Sequence, residues 1–452
     1  MKYTPRKFLY SILAILVFVL PSHAQSLLRD AETEAFFRDV SDPIFEAAGL
    51  TPASVNMYLL GDQSLNAFVT GGQNIFIHSG LMLASDDVNQ LIGVIAHETG
   101  HIAGGHLVRN SDYATASTAT ALTSLVLGAA AILAGSPDAG IGIISAGQSV
   151  AQRQYLAYNR VQESSADIAG IQYLEAAGVS GRGLIQFFDK LRDQEILAQI
   201  RQDPYVRSHP LNRQRILSLQ EGVSKSPYFR APPNKKHNEQ FNRIKAKLAG
   251  YLYGPQRTLR LYPLSDQSQS ARYARVYAYH KALEWDLAMR EVDSLLREEP
   301  ENPYYYEIKG QILFEQGKVK EAVPVFERAA HYSNNQPLIM TALGQALVSL
   351  EDNALMERAI PILEDATRKD RGNAFAWFNL AKAYSWLEKT PEASLATAER
   401  FYAVGGAGQA AYHASQAVKG LKQGTPEWLR AQDILVFAEQ AIERQKGRRR
   451  RR

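Results

Sequence analysis

The chain has 452 residues, more than one core normally organises, so two or more domains are expected. It contains no cysteine, which excludes disulfides, thiol chemistry, cysteine-ligated metals and lipidation at cysteine. The formal charge is only +4, and no segment resembles a nucleic-acid module, so nucleic acid is not expected as a partner.

Residues 1–24 place Lys2, Arg6 and Lys7 before an apolar run from Phe8 to Leu20 and end in Ser22-His23-Ala24. This reads as a cleaved secretory signal, too short for a comfortable membrane span. Its three cations leave +1 for the remainder, and the tail at 446–452 carries six more, so the body between has −5. The tail reads as solvated chain, with contact to anionic lipid or nucleic acid as the alternative.

Residues 25–223 mix strand and helix patterns and form the first expected domain. Asn66–Met82 reads as two short strands about Gly71-Gly72. Ser85-Asp86-Asp87 offers N-cap chemistry for a helix carrying Leu91, Ile92, Ile95 and the run HETGH. Thr118–Val150 is apolar but divided by Gly135 and Pro137 into pieces shorter than a span. It reads as ordinary buried helix packing or as a helical hairpin that shields a cleft or touches a membrane surface. A sparse stretch at 224–240 opens a linker over 224–270, with a connecting helix from Phe241.

From 271 to 445 the pattern is purely helical and repeats. Gly310, Gly344 and Ala381 recur at spacings of 34 and 37 residues, followed by Ala322, Ala359 and Ala393. Phe326 and Leu363 fill a matching large position, and Tyr279, Ala288 and Pro300 fit an earlier copy. This is the tetratricopeptide pattern of helix pairs, which stack into a solenoid with a concave binding face.

His97 and His101 are four apart, so on a helix they share a face and can reach one metal ion. Glu98 beside them is placed to take a proton from an attacking water, the H-E-x-x-H arrangement of zinc peptidases. A catalytic metal needs a third protein ligand and one open position. One such family has a histidine ten residues after the first, but Leu107 stands there and His106 misses by one. His106 therefore reads as a polar residue at the helix end. Glu163 on a second helix is the better third ligand. Asp167, four later on the same face, would fix the tautomer of a ligating imidazole.

With NAFVTGGQNIFIHSGLM, HETGH, ESSAD and SHPLNRQRI, the chain resembles the M48 family of zinc metallopeptidases, in its soluble periplasmic branch with a C-terminal tetratricopeptide domain. The resemblance implies an α+β fold of zincin (gluzincin) type followed by an all-α tetratricopeptide solenoid. It implies His97, His101 and Glu163 as ligands to one Zn2+ per subunit, with Glu98 as base. It implies that His209 restrains activity by filling the metal's open position; capping a helix from near Pro210, or steadying a transition-state oxygen, are its other readings. Arg215 matches a family arginine, either a carboxylate partner or an oxyanion stabiliser. An edge strand beside Asn66 would pair with extended substrate, although Asn66 also suits a turn.

The family further implies a periplasmic protein; if 118–150 touches the membrane surface, the protein is peripheral to the outer membrane. It would act on unfolded or misassembled outer-membrane proteins and dock assembly machinery through its repeats. The rival expectation is a chaperone or assembly adaptor whose protease is largely latent. A purely structural metal site is a third reading.

Overall fold

A computed structural model describes residues 26–106, 118, 121–127, 137–198, 209 and 213–450. The expected leader, Leu107 and the last two residues of the tail lie outside the described residues.

The first helix, α1 (Ala31–Ala47), is capped by Asp30, whose carboxylate accepts from the Thr33 amide at 2.8 Å. It turns Phe36, Phe37, Val40 and Ile44 inward. Four strands follow one another in the sheet as β1 (Leu27–Leu28), β2 (Asn56–Leu60), β4 (Asn74–His78) and β3 (Ala67–Thr70). β3 and β4 are the expected antiparallel pair, turning at Gly71 and Gly72 with φ of 60° and 101°. β2 runs parallel to β4, which leaves β3 at the edge. Ile75 and Ile77 alternate into the core with period two.

After the short α2 (Ser79–Ala84), α3 (Val88–Ala103) starts at Asp87, whose side chain accepts from the Gln90 amide at 3.1 Å. Every residue of α3 from Val88 to His101 is buried, so this is a central helix covered on all sides. Against it lie α4 (Pro137–Ala176) and α5 (Arg182–Ala198), and α6 (Arg213–Ser224) packs on both of these.

In the apolar segment at 118–150, the residues whose burial is described, 118, 121–127 and 141–150, depart from the buried-packing expectation. Pro137 begins one continuous helix of 40 residues that runs through Glu163. Leu122, Leu125, Val126 and Leu127, with Ile141, Ile143 and Val150, are exposed. Residues 121–127 nevertheless lie against α4, with Gly147 packed on Ser124. Among the described residues, no helix is long and apolar enough to cross a membrane.

The connecting helix α7 (Lys235–Leu252) begins six residues before Phe241 because Asn234 caps it, accepting from the His237 amide at 3.1 Å. A short α8 (Pro255–Leu261), with proline at its start, was not apparent from the sequence. Ten helices then pair in order: Gln269–Lys281 with Trp285–Glu298, Pro303–Glu315 with Val319–Tyr332, Pro337–Val348 with Asn353–Lys369, Ala374–Trp386 with Thr390–Ala403, and Ala407–Gly420 with Pro426–Arg450. The repeat signature has a direct cause. A Cβ on Gly310 would meet the Phe326 ring at 2.8 Å, and one on Gly344 would overlap Leu363. Ala288, Ala322 and Ala359 are fully buried, whereas Ala381 and Ala393 are only half-buried.

The turn within each of the first four pairs carries a left-handed residue: Leu283, Gly317, Glu351 and Glu388. Their spacings of 34, 34 and 37 reproduce the repeat. Only one is glycine. Leu283 holds φ 59° while 66% exposed, so its side chain returns little for the strain. Leu283→Gly is expected to stabilise the fold by about 1 kcal/mol, since a left-handed residue costs about 1–2 kcal/mol and glycine's entropy takes back part. A raised melting temperature checks this; a lowered one would mean that Leu283 contributes packing.

The two parts meet at a partly buried ionic joint. Glu32 of α1 accepts from Arg243 (2.6 Å) and Tyr273 (3.1 Å), Lys247 pairs with Asp30 (2.5 Å), and Arg29 reaches Asp370 (2.8 Å). Ala31 is buried among solenoid side chains. The joint therefore ties the first helix to both the connecting helix and the repeats.

Candidate metal centre

The site is built where α3 and α4 cross at close range. A Cβ on Gly100 would come within 2.7 Å of the Ala166 carbonyl oxygen, and one on Gly170 within 3.3 Å of the Ala96 backbone. Removing those two side chains lets the helices approach until Glu163 of α4 reaches the histidine face of α3. An alanine at 100 would press on backbone, which cannot rotate away.

His97, His101, Glu163 and His209 are all buried, and one donor atom from each lies within 4.8 Å of the others. The two Nε2 atoms are 3.2 Å apart. Glu163 oxygens stand 3.5 Å from His97 Nε2 and 3.4 Å from His101 Nε2. His209 Nδ1 is 3.4 Å from His97 Nε2 and 3.1 Å from both Glu163 oxygens. Donors 2.0–2.1 Å from a common tetrahedral centre are separated by about 3.4 Å, so these four fit one small divalent cation. Two ring nitrogens this close must share either a proton or a cation.

Around the donors runs a second set of contacts. Asp167 Oδ1 is 3.0 Å from His97 Nδ1, the ring atom facing away from the cluster. Arg215 donates to both Asp167 oxygens (2.7 and 2.8 Å) and stands 3.0 Å from Glu163 Oε2. Its guanidinium lies over the Phe188 ring at 5.4 Å, and His97 meets the same ring edge-on. Of the two readings of Arg215, the carboxylate partner is the one the contacts match. His209 points into the cluster; Pro210, near which a helix for it to cap is expected, lies outside the described residues.

Electrostatics follow from burial. Desolvation pulls His97 towards neutrality, but Asp167 and Glu163 outweigh it and push its pKa up to about 10. Burial, then the neighbouring His97, hold His101 well below its ordinary value. Glu163 is held well below the carboxylate range because His209 and His97 overcome its burial. Glu98 moves the other way: burial raises it. Both Glu98 oxygens are buried without a hydrogen-bond partner, and the nearer one is 3.6 Å from His209 Nε2. A buried carboxylate left unsaturated in this way is poised to take a proton.

Asn66 directly precedes β3. Its carbonyl accepts from the His78 amide at 2.9 Å, and its side-chain oxygen is buried without a partner. Sequence reasoning missed Phe188, which carries no pattern of its own, and the contact between His106 and His101.

Residues 29–223 match the model described as peptidase family M48. This part of the chain is an M48 metallopeptidase domain. The M48 domain holds HETGH on α3 and ESSAD on α4 in one centre, and an α-solenoid follows it. Over 407 residues the chain is 25% identical to the beta-barrel assembly-enhancing protease of Escherichia coli (strain K12), covering 88% of this chain and 81% of that one. Metalloprotease YcaL of the same organism is 30% identical over 176 residues, 38% of this chain and 63% of its own. A solved structure, "YrrB: a TPR protein with an unusual peptide-binding site", aligns over 40% of this chain and 94% of its own at 20% identity and TM-score 0.32.

Proposed function

We propose that the chain is a zinc-dependent endopeptidase of the periplasm, removing misfolded or stalled outer-membrane proteins while its repeats dock substrate or assembly machinery. The observation that carries the chemistry is the convergence of two imidazoles, a carboxylate and His209 beside the unpartnered Glu98. The cellular setting rests on the likeness to a protease named for barrel assembly. We divide the chain at 25–223 for the peptidase, 224–270 for the linker and 271–445 for the repeats.

In this reading His97, His101 and Glu163 hold one Zn2+ per subunit, a choice that suits a buried tetrahedral nitrogen and oxygen set. Such an ion supplies Lewis acidity, polarising a substrate carbonyl and acidifying water. Glu98 accepts the proton of the attacking water and returns it to the leaving amine. Asp167 fixes the His97 tautomer, and Arg215 keeps Asp167 ionised and bridges it to Glu163. The β3 edge and Asn66 receive an extended segment through backbone hydrogen bonds, which favours unfolded over folded substrate. The exposed apolar side chains of 121–127 and 141–150 would touch the membrane surface without crossing it.

Cleavage of an unfolded outer-membrane protein by the purified chain, abolished by a chelator and restored by Zn2+, tests this reading. Zinc uptake without any cleavage would leave a structural metal site.

The second reading, an assembly adaptor with a latent protease, draws on His209. Its Nδ1 takes the fourth corner of the donor set, where a neutral imidazole excludes water. His209→Ala is expected to raise casein turnover severalfold. A fall would instead assign His209 to transition-state stabilisation.

A further inference from the structure

We infer that His106 orients the metal ligand His101, as Asp167 orients His97. The inference rests on the metal reading above and concerns a residue that this reading does not use.

The geometry begins with the two glycines. α3 ends at Ala103, and Gly105 takes φ 62°, which turns the chain back over the last helical turn. Gly104 has ordinary helical dihedrals, so its role is space: a Cβ there would overlap the His106 ring. The ring is thereby folded onto the helix it has just left. It is buried, with Nδ1 2.9 Å from His101 Nδ1 and the two rings edge-on at 5.0 Å. Gln162, next to Glu163 on α4, places Nε2 3.5 Å from the His106 carbonyl.

His106 approaches His101 from the side away from the cluster. It is absent from the converging donors, so it cannot serve as the third ligand. Its position fixes hydrogens instead. For His101 to present a lone pair at Nε2, its hydrogen must sit on Nδ1. At 2.9 Å that N–H donates to His106 Nδ1, which places the His106 hydrogen on Nε2. Both histidines of α3 then have their outer nitrogen committed, one to a carboxylate and one to an imidazole.

The test uses the full mature chain and Zn2+ itself. Zinc affinity is measured by chelator competition for the wild type, His106→Leu and His106→Asn. Asparagine carries an acceptor oxygen near the place of Nδ1; leucine keeps the volume and removes the acceptor. His106→Leu is expected to weaken binding by about 10- to 100-fold, the usual cost of losing an outer partner, and His106→Asn to recover most of it. Nitrogen-15 spectra of the zinc-loaded wild type should show His106 unprotonated at Nδ1, a reading that holds even if the leucine variant fails to fold. Leucine binding as tightly as wild type, asparagine binding as weakly as leucine, or a hydrogen on His106 Nδ1 would overturn the inference. Failure of the wild type to take up zinc would instead overturn the metal assignment beneath it.

Discussion

Glu98→Gln is expected to lower proteolysis by about 10²- to 10⁴-fold, the usual contribution of a positioned proton acceptor, while leaving metal content unchanged. The substitution keeps shape and hydrogen-bonding capacity and removes only basicity. Glu98 suits the role because its burial raises its pKa, and a carboxylate with a raised pKa is the stronger base near neutrality. The amide has no comparable proton affinity. Peptide turnover and elemental analysis on the same preparation check the expectation. Retained turnover would remove Glu98 from the mechanism. The variant also separates the two cellular readings: if it still supports outer-membrane protein assembly, binding by the repeats is the main activity.

Glu163→Gln is expected to act on the metal itself. Glu163 brings the negative charge that balances a divalent ion against two neutral rings. It is 4% exposed, so water cannot replace it. Loss of that charge should cost more than the about 10- to 100-fold assigned to outer partners. The metal-free fold should suffer less, because Arg215 retains both bonds to Asp167. A penalty of about 1–3 kcal/mol is expected, the cost of one unsatisfied contact to a buried charge. Metal content after dialysis and a denaturation curve read the two effects separately. An unchanged metal content would exclude Glu163 as a ligand.

The His97 and His101 pair was legible because helix periodicity alone puts residues four apart on one face. The turn at Gly71-Gly72 and the repeat spacing were legible for the same kind of reason, being local or periodic. The exposure of the apolar side chains at 121–127 and 141–150 was not, because alanine, glycine and leucine are equally compatible with a packed helix and with an exposed apolar one. The part played by His106 was missed although its signal was present. Two glycines before a histidine announce a chain reversal, but the sequence does not say which ring the histidine returns to.

By itself, then, the sequence determined the period of the solenoid, the capped helix carrying HETGH and the donor types available for a metal. Each follows from chemistry acting within a few residues. Tertiary structure decided which distant groups join that helix. Glu163 reaches it only because Gly100 and Gly170 let two backbones touch, and Arg215 arrives from a third helix to hold the carboxylates. Close packing between remote segments has no local code, since it depends on shape that exists only once the core has formed.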